Sequence, residues 1–237
     1  MKGFSVLIST IAIILAIVST ITSTKAGVSS EEIAKALRDN PKLVVDALQA
    51  YQDQQRVAQE RAAAEAVKKY AEQIKSSDKA AFVGPENATV TVTEFFDFSC
   101  GYCKRLAPTL EKVIENNPNV KFVFKPVSFV SPVSPYQAKA SMAAQKQGKF
   151  LEFYAGLMKA DGGMTEAKVD EIASSVGLDM DKYKADLNSD EVAQTLAEIS
   201  SLSRSAGVSG VPALFINGKP VQAFSVDEIQ NAINTAE

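Results

Sequence analysis

Cys100 and Cys103 are the only cysteines in this chain, and the segment around them limits the possible folds more than any other. An apolar run over residues 95–98 leads into the pair, and a helix-like run follows it. Two sulfurs at the start of a helix can close into a disulfide and reopen. The free N–H groups and the dipole of a helix N-terminus favour a thiolate, which is the species that attacks disulfides. The pattern therefore predicts a strand, then a redox-active dithiol that begins a helix.

Other uses of the two cysteines fit the sequence less well. A zinc site needs four ligands, usually Cys or His, and the chain has no histidine and no third cysteine. A purely structural disulfide would close a loop of only a few residues and would remove little chain entropy. A Cu(I) site made by two thiolates is chemically sensible and stays open as an alternative. The redox interpretation itself requires no metal and no cofactor.

The N-terminus predicts export from the cytosol. Lys2 precedes an apolar run that extends to about Ile21, and small or polar residues then lead to a possible cleavage point after Ala26. We therefore expect a signal peptide over residues 1–26 and a periplasmic or otherwise exported protein, in a compartment where disulfides persist. An uncleaved membrane anchor is the alternative, since the run approaches membrane-spanning length.

The charge balance argues against a nucleic acid partner. The chain has 25 basic and 28 acidic residues, and removal of residues 1–26 takes away Lys2 and Lys25 but no acidic residue. The formal charge then changes from −3 to −5. A protein that binds nucleic acid needs a basic surface, and a mildly acidic chain does not favour one.

Residues 27–78 predict a helical stalk and a linker. Ser29 and Glu32 have the pattern of a capping box, and Asn40 before Pro41 ends one helix and starts another. No Gly or Pro follows within this segment, and its residues are good helix formers. Apolar residues recur near the 4-3 spacing of a coiled-coil seam, interrupted at Gln55: Val44, Leu48, Tyr51, Ala58 and Ala62.

A helix of this kind needs a packing partner, because packing supplies most of the stability of a helix in water. We expect residues 27–75 to join two or three copies of the chain into a homo-oligomer. The alternative is a helix that packs on its own domain. The polar residues 76–79 resemble a linker to the domain that follows.

Residues 79–237 alternate strand and helix signals, which predicts an α/β domain with a central sheet. A largely helical stretch over about residues 133–206 separates the second predicted strand from the third. Asn217 and Gly218 give a strong hairpin signal between the last two strands. The predicted order is βαβ, a helical insertion and ββα, with strands at 88–96, 120–127, 211–216 and 219–223.

This order of elements resembles the thioredoxin fold. The resemblance is carried by the Cys-Gly-Tyr-Cys sequence at residues 100–103 after a strand, by Pro108 in the next helix, and by Gly-Val-Pro at 210–212 before a hairpin. The helical insertion is similar to that of the DsbA-type subfamily, over residues 80–237. The N-terminal segment resembles the oligomerisation region of ScsC-type suppressor-of-copper-sensitivity proteins, which are exported disulfide isomerases or oxidases.

The resemblance implies a role for five residues. Cys100 is expected to be the exposed nucleophile that forms a mixed disulfide with the substrate, and Cys103 the resolving thiol inside the helix. Pro212 is expected to be a cis-proline that faces the pair. Val211, through its backbone, and Tyr102 are the expected substrate-binding residues.

The resemblance also points to Glu94, six residues before Cys100, where thioredoxin-like proteins place a buried acid. A buried, unpaired carboxylate has a raised pKa, which suits the transfer of the Cys103 proton. We therefore include Glu94 among the candidate catalytic residues, with Lys125 on the next strand as its possible partner. An exposed carboxylate at the end of a strand is the alternative.

The expected function is an exported thiol–disulfide oxidoreductase, in the form of an oligomeric isomerase. Its partners would be unfolded or misfolded exported proteins that contain cysteines, and a membrane redox partner. Gly-Tyr between the cysteines is similar to DsbC-type isomerases and differs from the Pro-His of DsbA. Tyr102 carries no charge, so the Cys100 thiolate is stabilised less than it would be beside a protonated histidine in the same place. A less stabilised thiolate makes a less oxidising disulfide, which favours shuffling over one-way oxidation. A monomeric dithiol oxidase and a Cu(I)-binding copper-tolerance protein are the alternatives.

Overall fold

The computed structural model describes residues 29–236, so the predicted signal peptide lies outside the described residues. The described residues divide into two compact units, 29–58 and 59–236. Within the described part, no helix is both long and apolar enough to cross a membrane.

The first unit contains helix α1, Ser30–Asp39, and the first half of helix α2, Pro41–Lys75. The predicted capping box is present at the start of α1. The Ser29 hydroxyl oxygen accepts from the backbone N–H of Glu32, and the Glu32 carboxylate accepts from the backbone N–H of Ser29 at 2.8 Å. None of the α1 residues is buried, although both helices carry large apolar side chains.

The second unit is built on a five-stranded sheet of order β1-β3-β2-β4-β5. Strands β2 and β3 run parallel and are joined through helix α3, whereas β1, β4 and β5 each pair antiparallel with their neighbour. The elements are β1, Ala81–Val83; β2, Thr91–Phe96; α3, Gly101–Asn116; β3, Lys121–Pro126; β4, Ala213–Ile216; β5, Lys219–Val221; and α9, Val226–Ala236.

Five helices form the insertion between β3 and β4. They are α4, Ser134–Lys146; α5, Phe150–Lys159; α6, Glu166–Ser175; α7, Met180–Leu187; and α8, Asp190–Ser205. The main core lies between one face of the sheet and the helices α3, α5 and α9, and its aromatic centre includes Phe96, Phe124, Phe150 and Tyr154. The α/β fold with a helical insertion is therefore confirmed.

A second, smaller core lies on the other face of the sheet and includes the C-terminal end of α2. Ile74 is fully buried there with Phe95, Phe215 and Ile199. The β4–β5 hairpin also comes close to α2, since a Cβ atom at Gly218 would lie 2.8 Å from the carbonyl oxygen of Ala71. This contact explains why the boundary between the units falls inside α2, whereas composition suggested a linker at residues 76–79.

One strand was missing from the sequence-based order. Strand β1 has only three residues and pairs antiparallel with β3, with Ala81 opposite Phe124. A run of three residues is too short to show the alternation that identifies a strand. The other predicted strands are present, although β2 begins at Thr91 and not at residue 88.

Candidate active site

The two cysteines lie where β2 gives way to α3. Cys100 is the N-cap residue of α3, with an extended backbone, and its N–H donates to the Asp97 carbonyl oxygen at 2.9 Å. Cys103 lies in the first turn and is fully buried, whereas Cys100 keeps 8% of its surface exposed. Both thiols are free. Of the two sulfurs, Cys100 is therefore the one that a substrate can reach.

The loop before β4 faces the cysteines. The Cys100 Sγ donates to the carbonyl oxygen of Val211 at 3.4 Å, which joins two residues 111 positions apart. The Val211–Pro212 peptide bond is cis. The structure thus brings Val211 against the nucleophile candidate, with the cis bond to Pro212 directly after it. The roles of both residues toward substrate stay predictions.

Glu94 is buried in the centre of β2, with 2% of its surface exposed. Its Oε2 accepts from the Tyr154 hydroxyl at 3.0 Å, and its Oε1 has no hydrogen-bond partner among the described residues. Burial raises the pKa of Glu94 to about 8, against a lowering effect of the Tyr154 hydrogen bond. Burial, followed by the charge of Glu94, raises the pKa of the Cys103 thiol well above its usual range. The carboxyl group of Glu94 and the thiol of Cys103 therefore interact electrostatically in the protein interior.

The suggested pairing of Glu94 with Lys125 is wrong. In the parallel register, Glu94 lies opposite Phe124, whereas Lys125 lies opposite Phe95. Because adjacent residues of a strand point to opposite faces, Glu94 and Lys125 lie on different sides of the sheet. The Lys125 ammonium donates instead to the carbonyl oxygen of Ser76 at 2.9 Å, and burial lowers its pKa to about 8.

A second buried carboxylate, Asp97, was not singled out from the sequence. It is fully buried and accepts four hydrogen bonds, two at each carboxylate oxygen. The donors are the backbone N–H groups of Ser99, Phe129 and Val130 and the hydroxyl of Ser134. The side chain of Asp97 therefore joins three segments through hydrogen bonds: the turn before Cys100, the loop after β3 and the start of α4.

Exposed apolar side chains lie at the same end of the sheet as the cysteines. The register of the sheet places the loops after β2, β3 and β5 and the loop before β4 at one end of the sheet. Within residues 59–236, the exposed large apolar side chains lie in the first turn of α3, in the loop after β3 and in the loop after β5: Tyr102, Phe129, Val130 and Phe224. We call these four residues the apolar rim. Tyr102 is 69% exposed, and its ring lies 4.2 Å from the Arg105 guanidinium carbon.

Tyr154 was also missed, because it lies in the insertion, 60 residues after Glu94, and has no local sequence signal. Within residues 29–236 there is no group of three or more His, Cys, Asp or Glu side chains placed to hold a metal ion. A partly exposed thiol with a buried thiol one helical turn behind it is the arrangement that dithiol–disulfide exchange uses.

Curated relatives match about two thirds of this chain. The first of them, the Na(+)/H(+) antiporter NhaA 1 of Salinispora arenicola, is 30% identical over 156 residues, which are 65% of this chain and 24% of the antiporter. The chain thus spans about a quarter of the length of the first curated relatives that it matches. Disulfide bond formation protein D of Bacillus subtilis is 26% identical over 64% of this chain and 74% of its own.

Solved structures extend the likeness to the N-terminal helices. BcfH of Salmonella enterica Typhimurium is 26% identical, with a TM-score of 0.67, over 96% of this chain and 99% of its own. A Proteus mirabilis ScsC variant with a linker deletion is 23% identical, with a TM-score of 0.69, over 90% of this chain and 98% of its own. The model of the DSBA-like thioredoxin domain matches residues 91–234, more than half of the chain. The paired cysteines, the fold and this match together show that the chain belongs to the DsbA family of thioredoxin-fold proteins.

Proposed function

We propose that this protein, a thiol–disulfide oxidoreductase of the DsbA family, works outside the cytosol as an oligomeric disulfide isomerase. Its substrates are misfolded proteins whose cysteines are wrongly paired. Cys100 attacks the wrong disulfide, Cys103 resolves the mixed disulfide when no internal thiol does, and a membrane redox partner keeps the pair reduced. Support for export comes from the apolar N-terminal run and the small residues that follow it.

The observation that carries this proposal is the apolar surface of the first unit. Within residues 29–58, eight large apolar side chains are exposed, each by 37% or more. Helices with so much exposed apolar surface are typical of an interaction site, and burial of a Val or Leu side chain contributes about 1.5–3 kcal/mol. The eight are Ile33, Leu37, Leu43, Val44, Val45, Leu48, Tyr51 and Val57.

A second copy of the same chain is the occupant that fits this surface. Val44, Leu48 and Tyr51 follow the 4-3 spacing at which helices of a coiled coil meet, and a coiled coil needs the same seam on its partner. Another copy provides that seam at matching length. Two or more catalytic units held around one substrate raise the effective thiol concentration near it, which repeated isomerisation requires and a single oxidation does not.

The apolar rim supports a polypeptide substrate. An unfolded protein exposes apolar side chains and unpaired backbone groups, whereas a folded protein or a small polar thiol does not. Tyr102, Phe129 and Phe224 are each more than half exposed and lie at the same end of the sheet as Cys100. Val211 adds a backbone next to the nucleophile, where an extended substrate segment can pair.

The test is a charge substitution on the seam in the mature full chain. Leu48→Glu with Tyr51→Glu should turn an oligomer into a monomer by sedimentation equilibrium, because two carboxylates per helix cannot be buried in a coiled coil. Gln49→Glu with Ala50→Glu is the matched control, since it adds the same charge to exposed positions of the same helix that face away from the seam. We expect the control to stay oligomeric.

Activity then separates the isomerase from the oxidase. The seam variant should still reduce insulin disulfides at the wild-type rate per subunit, but should lose most of its ability to reactivate scrambled ribonuclease. A wild-type protein that is monomeric at tens of micromolar would contradict the proposal and favour the monomeric dithiol oxidase. Deletion experiments should end at residue 58, because residues 59–75 belong to the second unit and Ile74 is part of its core.

A further inference from the structure

The loop after β3 carries two of the four residues of the apolar rim, although it has no regular secondary structure of its own. It covers residues 127–133 and contains Phe129, which is 58% exposed, and Val130, which is 45% exposed. Apolar side chains on an unrestrained loop would pack back against the protein, because water disfavours their exposure. A restraint on the backbone of this loop is therefore needed to keep both side chains outside.

Asp97 provides that restraint. The backbone N–H groups of Phe129 and Val130 both donate to its Oδ2, each at 3.1 Å. The hydroxyl of Ser134, where the loop ends and α4 begins, donates to its Oδ1 at 2.8 Å. The carboxylate is fully buried, and hydrogen bonds to a charged acceptor are stronger than those between neutral groups. The loop is therefore fixed at its rim residues and at its end by one side chain.

The same residue fixes the turn that presents the nucleophile. Its Oδ1 also accepts from the N–H of Ser99 at 2.8 Å, and its backbone carbonyl oxygen accepts from the N–H of Cys100 at 2.9 Å. The Ser99 hydroxyl contacts Gln137 Oε1 at 2.8 Å, which joins the turn to α4 as well. The rim loop cannot move relative to the turn at 97–100 unless these bonds break.

We propose that Asp97 is a positioning residue for polypeptide substrates, because it holds Phe129 and Val130 at a fixed place relative to Cys100. A substrate segment that lies on the rim then brings its disulfide to the nucleophile without first having to order the loop. This positioning role rests on the polypeptide substrate proposed above. It is independent of whether the protein is an isomerase or an oxidase, because both must bind a polypeptide next to Cys100.

Asp97→Asn separates the two sets of contacts. A carboxylate has about four lone-pair sites, and here four donors use them, whereas the one oxygen of an Asn amide accepts about two hydrogen bonds. An Asn side chain forms the same local turn with the N–H two residues further on, so its oxygen should stay with Ser99. The position of Oδ2 then becomes an NH₂ group that faces two N–H donors, and the bonds to Phe129 and Val130 are lost.

The experiment compares two disulfides in single-turnover reactions with the reduced full chain. One is glutathione disulfide, which is small and polar. The other is the disulfide-linked dimer of an unstructured peptide with apolar residues beside its cysteine. In both reactions the dithiol and one disulfide become the Cys100–Cys103 disulfide and two free thiols. Acid quench followed by mass spectrometry measures the products, and a concentration series gives the limiting rate and the half-saturation concentration for the peptide.

For Asp97→Asn we expect the half-saturation concentration of the peptide to rise on the order of tenfold, with little change in the limiting rate. A tenfold rise corresponds to about 1.4 kcal/mol, and ordering the backbone of one loop residue costs a free energy of this size. The rate constant with glutathione disulfide should change much less, because that substrate is too small and polar to use the rim.

Two further variants act as controls for stability. Gly218→Ala should also destabilise the domain, but at the end of the sheet opposite to the cysteines, so it should react with both disulfides as the wild type does. Ser134→Ala is a milder change at the site, since it removes the hydroxyl that bonds to Asp97 Oδ1 and accepts from the N–H of Ser131. It should raise the half-saturation concentration of the peptide in the same direction by a smaller factor.

Phe129→Ser with Val130→Ser distinguishes failure of this role from failure of the proposed function. The double variant removes the apolar side chains and should raise the half-saturation concentration at least as much as Asp97→Asn does. A rise in the double variant without one in Asp97→Asn would overturn the positioning role and leave the polypeptide substrate in place. No rise in either would overturn both. Equal slowing of the two disulfides in Asp97→Asn would also overturn the role, because Asp97 would then act on the nucleophile alone.

Discussion

Glu94→Gln should remove a large pH dependence from the stability of the reduced protein. The folded state holds the Glu94 proton up to a pKa of about 8, whereas an unfolded chain releases it near 4.5. Between these two values the folded state binds more protons than the unfolded state, so the free energy of unfolding falls as the pH rises. A difference of this size corresponds to about 5 kcal/mol, at about 1.4 kcal/mol per pKa unit.

The window from pH 5 to pH 8 isolates this group. The lowered pKa of Lys125, about 8, makes stability rise with pH only above that value. The raised pKa of Cys103 acts at still higher pH. Gln at position 94 can still accept from the Tyr154 hydroxyl but has no charge to bury. We therefore expect Glu94→Gln and the wild type to differ little at pH 5, and the variant to be more stable at pH 8.

The assay is urea unfolding of the reduced full chain at pH 5 and pH 8, at one protein concentration, followed by the near-ultraviolet circular dichroism of its tyrosines. Because the unfolded chain titrates near 4.5 and the folded group is only half ionised at pH 8, roughly 3.5 kcal/mol of this difference falls between pH 5 and pH 8. With an m value of about 2–3 kcal/mol/M, the wild-type midpoint should fall by roughly 1–2 M between the two pH values. The Glu94→Gln midpoint should stay nearly constant. Equal shifts in both proteins would refute the claim that burial of Glu94 sets this dependence.

Four other substitutions test the site and its supports. Cys103→Ser should accumulate mixed disulfides with unfolded substrates on non-reducing gels, and Cys100→Ser should not, because only Cys100 has exposed surface. Adducts only with Cys100→Ser would reverse the two roles. Asp97→Asn should lower the free energy of unfolding by about 2–4 kcal/mol, because an Asn side-chain nitrogen cannot accept a hydrogen bond. It should also speed hydrogen exchange of the two loop N–H groups that donate to Asp97 Oδ2. Gly218→Ala should lower the free energy of unfolding by about 2 kcal/mol, and the urea midpoint with it. The reason is that φ is +76° at this position and the new methyl group would lie 2.8 Å from the carbonyl oxygen of Ala71. An unchanged midpoint would show that α2 can move away.

Local signals predicted the parts of the structure that depend on neighbouring residues. The capping box at Ser29, the break at Asn40, and the hairpin at Asn217 and Gly218 are all present, because each arises from a turn or helix end with its own chemistry. The meeting of Cys100 with the loop before β4 was also predicted, although it joins distant segments. That prediction came from family resemblance, since no local rule could supply it.

The sequence could not reveal what depends on register and on the insertion. Whether Glu94 faces Lys125 is decided by which residue of β3 stands opposite it, and a shift of one residue reverses the answer. Tyr154 reaches Glu94 from a helix 60 residues away, so nothing near either residue marks the contact. The hydrogen bonds of Asp97 likewise join segments that are far apart in the sequence, since three of its four donors follow β3 in the chain.

A pKa near 8 at Glu94 suits an exchange that runs in both directions. At pH 7 such a group is protonated in most molecules and ionised in about one in ten. The protonated form can supply the proton that Cys103 needs when it leaves a disulfide, and the ionised form can accept it when Cys103 attacks one. Every complete redox cycle uses both steps, because Cys103 leaves when the disulfide with Cys100 is opened and attacks when that disulfide is formed again. A carboxyl group with a pKa near neutral pH therefore serves each direction at a moderate cost.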